Sequence, residues 1–92
     1  MTTGYRTLKK TNRLEDLKPG DLCTIATPSG DLVEGRVMTI IGHDEDANLS
    51  VLWFDDGRSY PIAKDDTWTS FCHFLHGWID QDVRDEIKAN NE

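Results

Sequence analysis

Ninety-two residues with a net charge of −7, 37% apolar and 29% charged, make one domain with a single modest core and no room for a separate substrate domain. No apolar run approaches the roughly 20 residues that span a bilayer, and the opening MTTGYRTLKKTNR lacks the apolar stretch of a secretory signal, so the expected location is cytoplasmic. The charge is unevenly placed: residues 1–18 carry five basic and two acidic side chains, residues 19–92 five basic and fifteen acidic. An acidic body is repelled by phosphate backbones, which argues against a general nucleic-acid binder.

In chain order, residues 1–13 show no periodicity and are expected to form a flexible basic arm carrying Arg6, Lys9, Lys10 and Arg13. Leu14 and Leu17 are spaced for one helical turn, which Pro19-Gly20 stops. Leu22 to Thr27 has strand composition, and Pro28-Ser29-Gly30-Asp31 is a turn cluster. Leu32 to Ile41 predicts a longer strand whose faces are both mixed, as expected if it bends at Gly35. An acidic loop, Gly42 to Asn48, leads to the strongest local signal in the chain.

That signal is Leu49 to Ile62, two β-rich runs around Asp55-Asp56-Gly57. Asp-Gly between such runs predicts a hairpin with a tight primed turn. Beyond it, Asp65-Asp66-Thr67 resembles a helix N-cap, and Trp68, Phe71, Cys72 and Leu75 fall at i, i+3, i+4, i+7. Ile79, Val83 and Ile87 continue at helical spacing after Gly77. One or two short helices are therefore expected over about residues 66–89. The expected organisation is an arm over 1–13 and a single domain over 14–92: mainly β, a small closed or half-open antiparallel barrel followed by short α-helices.

Four pieces together resemble the SH3-like barrels of the Tudor and KOW kind over about residues 18–63. They are Lys18-Pro19-Gly20-Asp21-Leu22 entering the first strand, Gly30 in the next turn, Gly35-Arg36-Val37, and Val51-Leu52-Trp53-Phe54-Asp55-Asp56-Gly57. The resemblance implies a small antiparallel barrel. Family members bind methylated lysine or arginine in an aromatic cage, or peptides or nucleic acid on the barrel surface. Carried onto this chain, the cage would be Trp53, Tyr60 and Trp68 with Asp55 or Asp56 as its anionic wall, since a cation gains from ring faces and a nearby carboxylate. Asp56 stands where the family's turn usually carries an aromatic. The plainer reading has Trp53 or Phe54 filling the core.

Catalytic chemistry is thin. There is no nucleophile elbow, phosphate-binding glycine loop or His-Glu motif, and the paired carboxylates Asp55-Asp56 and Asp65-Asp66 sit in turns and caps. A non-enzyme without cofactor is expected. Cys72, His73 and His76 are the one ligand-like cluster, but a tetrahedral zinc site needs a fourth ligand from His43 or Cys23, and a buried thiol beside exposed histidines is the simpler account. Cys23 and Cys72 are expected as buried thiols.

The expected function is a non-catalytic protein- or peptide-binding module. Trp53, Tyr60, Trp68 and Trp78, with Asp55, Asp56, Asp65 and Asp66, would engage a basic partner. One alternative is an acidic inhibitor of the phage or mobile-element type that occupies a host protein's nucleic-acid groove. Another is a nucleic-acid module using the basic arm.

Overall fold

A computed structural model describes residues 8–44, 49–63 and 69–90 of the chain. It contains six strands, β1 (Leu8–Thr11), β2 (Leu22–Ala26), β3 (Leu32–Asp44), β4 (Leu49–Phe54), β5 (Ser59–Ala63) and β6 (Cys72–Asp80), and one helix, α1 (Gln81–Asn90). The sheet order is β1-β6-β2-β3-β4-β5, and a further β5–β6 pairing closes β6, β2, β3, β4 and β5 into a ring. All pairings are antiparallel except the closing one, a short parallel contact of Ile62 with Cys72 and Ala63 with His73. The fold is mainly β, and none of its described helices is long and apolar enough to cross a membrane.

Three glycines set the turns. Gly20, Gly30 and Gly57 have φ of 98°, 93° and 94°, a region that L side chains rarely enter. Pro19-Gly20 forms a turn in which the Asp21 N–H donates to the Lys18 carbonyl at 3.1 Å. Proline at the second and a positive-φ glycine at the third position is the type II signature. The two hairpin loops are built alike. Thr27 N–H donates to Asp31 O (2.8 Å) and Gly30 N–H to Thr27 O (2.9 Å); Phe54 N–H donates to Arg58 O (2.8 Å) and Gly57 N–H to Phe54 O (3.1 Å). Each loop therefore has three residues ending in a left-handed glycine. This corrects the expected two-residue primed turn at Asp56-Gly57: the glycine restores the strand twist that an ordinary turn would spoil.

Alternation along β4 buries Leu52 and Phe54 completely and leaves Val51 and Trp53 half-buried on the outer face. Leu52 and Phe54 join Leu17, Cys23, Ile25, Val37, Ile62 and Cys72 in the core. The long strand β3 serves two partners, pairing with β2 over residues 32–36 and with β4 over residues 37–44. A register shift lies between Val37 and Thr39, beside an exposed Met38, while Gly35 makes room for Phe54: a Cβ there would stand 2.8 Å from the ring. Gly77 likewise makes room for Leu17, whose Cδ2 would lie 2.6 Å from an added Cβ.

Two expectations are corrected by β6 and β1. Residues 72–80 form a strand, not the helix that the Trp68, Phe71, Cys72, Leu75 spacing suggests. β2 pairs Thr24 with His76 but Ile25 with Phe74, so Leu75 is an inserted bulge residue and stands exposed. The second expected helix exists as α1, beginning after Asp80. At the other end, Leu8–Thr11 of the expected loose arm pairs with Gly77–Asp80 as β1; residues 1–7 lie outside the described residues. The expected turn at Leu14 is present as a single 3-10 turn, Leu14–Asp16.

α1 is fastened by two buried carboxylates. Asp80 caps it, accepting the Val83 N–H on Oδ1 (3.2 Å), and its Oδ2 takes Arg36 Nη1 at 3.2 Å. Asp21 accepts the Lys18 and Asp80 backbone N–H groups, both at 2.9 Å, and the Arg84 guanidinium from α1. Both carboxylates are 0% exposed. Val83 and Ile87 lie over Gly20, where a Cβ would come within 2.8 and 3.0 Å of them.

Candidate functional site

The residues singled out as a partner-binding surface are dispersed by the fold. Trp53 faces outward from β4, flanked across the sheet by Thr39 on β3 and Ser59 on β5. Tyr60 sits opposite Leu52, on the inner side. Its ring meets Phe54 edge-on at 5.7 Å between centroids and packs against the core. Trp53 and Tyr60 therefore do not face a common cation. Of the two aromatics that could fill the core, Phe54 does so. Trp78 is half-buried on the outer face of β6, between Lys10 of β1 and Leu22 of β2, with β2 and β3 between it and β4 in the sheet order. Trp68, Asp65 and Asp66 lie outside the described residues.

The hairpin carboxylates differ from each other. Asp56 accepts the Arg58 backbone N–H (3.1 Å) and Nε (2.6 Å); that backbone bond first, and then the guanidinium, holds its carboxyl below the usual range. Arg58 also lies 5.1 Å from the centre of the Phe54 ring. Asp55 is exposed, and its carboxylate has no hydrogen-bond or ion-pair partner among the described residues. Its backbone N–H is held by Arg36 O at 2.9 Å, which anchors the main chain from which the carboxylate projects.

What surrounds Trp53 is a strip that the sequence reading did not isolate. Val51 is directly opposite Ile41 on one side and Pro61 on the other. Ile41 is 53% exposed and Met38 46%. The signal was present in the alternation of β4 and in the β3 register, but that register depends on the Met38 bulge.

The Cys72, His73, His76 cluster is taken apart by β6. Cys72 is buried opposite Ile62, His73 lies beside Ala63, and His76 stands beyond the Leu75 bulge opposite Thr24. Among the described residues no three His, Cys, Asp or Glu side chains are grouped to hold a metal ion. His43 has no described side chain. Both cysteines are free and buried; burial pushes the Cys23 thiol up to about 12 and raises that of Cys72.

Two clefts among the described residues bear on binding. One of about 640 Å³ is lined by Leu14, Leu17, Ile40 and Phe74 together with Arg13, Glu15 and His73. Arg13 is committed to Glu15, so the lining offers little free charge. The other, about 250 Å³, is lined by Leu8, Leu22, Thr24, Glu34 and Trp78 on the outer face. In comparison with known proteins, no family model, no curated protein and no solved structure matches this chain.

Proposed function

We propose that the protein is a non-catalytic binding module whose outer face on β3, β4 and β5 engages a basic peptide or protein. One observation carries the reading: Trp53 continues an apolar strip of Val51, Ile41 and Pro61 and lies two residues from the unpaired carboxylate of Asp55. A flat indole beside an uncommitted carboxylate suits a lysine or arginine side chain, whose stem packs on the ring while its charge reaches the oxygen. The proposal narrows the surface to Trp53, Asp55 and this strip, and leaves Tyr60 and Trp78 out of it. An SH3-like barrel of the Tudor or KOW kind belongs to the same proposal, supported by the five-stranded ring and the Pro19-Gly20 entry turn.

The test is binding to an array of lysine- and arginine-rich peptides, with hits measured by fluorescence polarisation. Trp53→Ser and Asp55→Asn should each remain folded and bind at least tenfold more weakly. Undiminished binding by both variants overturns the reading. So does a partner released only by neutralising Asp82, Asp85 and Glu86 on α1, which would favour the acidic-inhibitor alternative.

A further inference from the structure

We propose that the free edge of β1 is a docking site for an extended acidic segment of a partner, which adds to the sheet as a further strand beside Leu8–Thr11. β1 ends the sheet order and pairs only with β6, so nothing among the described residues covers its outer edge. In a strand paired on one side, alternate residues direct their N–H and C=O groups away from the sheet, where a new strand can take them. Leu8, Lys9 and Lys10 are exposed, and neither lysine has an ion-pair partner among the described residues.

The lysines decide the occupant. Two copies of this edge in antiparallel register would face lysine with lysine, and like charges opposed across a strand pair are unfavourable. A segment bearing carboxylates meets the opposite condition. The body of the protein is acidic, so these uncommitted cations on the sheet's open end are where an acidic chain is attracted rather than repelled.

The cleft beside the edge supplies selectivity. An added strand would lie about 4.8 Å beyond β1 and present every second side chain to the outer face. There the 250 Å³ cleft begins at Leu8 and runs to Trp78 and Leu22. A large apolar side chain on the incoming strand can lean across Leu8 into it, while its neighbours on the same face reach Lys10. Main-chain bonds then give affinity and the alternate side chains give choice. This surface is separate from the Trp53 strip, and either reading can fail without the other.

The test uses the full chain labelled with ¹⁵N and two synthetic decapeptides. One alternates glutamate with threonine around a central tyrosine; the other replaces each glutamate by lysine. The glutamate peptide should shift the amide resonances of residues 8–11 and slow their hydrogen exchange at least tenfold, and the lysine peptide should not. The double variant Lys9→Glu/Lys10→Glu should reverse the preference; if it does not fold, Lys9→Gln/Lys10→Gln should abolish it. An unaffected β1, an equal response to both peptides, self-association through these residues, or tighter binding of oligothymidylate at the same edge would each overturn the proposal.

Discussion

Arg84 and Asp21 stand 63 residues apart in the chain and form an ion pair in which the carboxylate is completely enclosed. The pair joins α1 to the turn that enters β2. Every oxygen of Asp21 is occupied, by backbone N–H groups of Lys18 and Asp80 as well as by the guanidinium.

Removing one partner should therefore cost more than an exposed ion pair would. Arg84→Met leaves the Asp21 charge buried without its counter-ion, and we expect a loss of about 3–5 kcal/mol. Asp21→Asn/Arg84→Met should recover part of it, because the amide is neutral and its oxygen still accepts a backbone bond. Urea denaturation of the two variants and the parent gives the comparison.

Gly35 and Gly42 lie on the same strand and should respond oppositely to one methyl group. A Cβ at Gly35 would stand 2.8 Å from Phe54, whereas one at Gly42 meets nothing within 4 Å among the described residues. Gly35→Ala should destabilise by about 1–3 kcal/mol, and Gly42→Ala should stay within about 0.5 kcal/mol of the parent. Equal midpoints for both in thermal unfolding would contradict the packing of Phe54 beneath β3.

The two hairpin aromatics should separate stability from binding. Tyr60→Ala removes the edge-on partner of Phe54 and should lower stability by about 2–3 kcal/mol. Trp53→Ser should unfold near the parent midpoint and lose the basic-peptide binding proposed for the outer face. Circular dichroism melts alongside peptide titrations distinguish the roles.

Cys23 makes stability fall in alkali. Burial pushes its thiol up to about 12 from an ordinary value of 9.0. The unfolded chain gives up this proton from about pH 9 while the folded chain keeps it. The contribution is thus fully present below that pH and is lost as pH rises toward 12, at up to about 1.4 kcal/mol per unit. Urea midpoints measured from pH 8 to 10.5 should fall more steeply for the parent than for Cys23→Ala. Ellman's reagent should react slowly with both cysteines of the folded protein at pH 8.

Local signals in the sequence carried the turns and most strands. Gly20, Gly30 and Gly57 each follow a residue suited to a turn, and short-range hydrogen bonds decide what they do. The burial of Cys23 and Cys72 was also legible, from their apolar neighbours. β6 was not, because its spacing of Phe71, Cys72 and Leu75 matches a helix until the Leu75 bulge is known, and that bulge exists only through pairing with Thr24 and Ile25. β1 was hidden for a related reason: Lys9 and Lys10 show no strand pattern, and only β6 beside them makes one. The candidate surface suffered most. Trp53 and Tyr60 are close in sequence, but the three-residue loop sets Tyr60 opposite Leu52 and so on the other side of the sheet.

The closing pairing of the ring also sets an order of events during synthesis. β2, β3, β4 and β5 are consecutive and antiparallel, so each can pair with its predecessor soon after leaving the ribosome. β6 must then add to the second edge of β2, which lies far earlier in the chain, before β1 has any partner. A nascent chain ending before Cys72 exposes the bare edges of β2 and β5 together. Termination ahead of Cys72 thus yields an aggregation-prone four-stranded fragment instead of a slightly weakened protein.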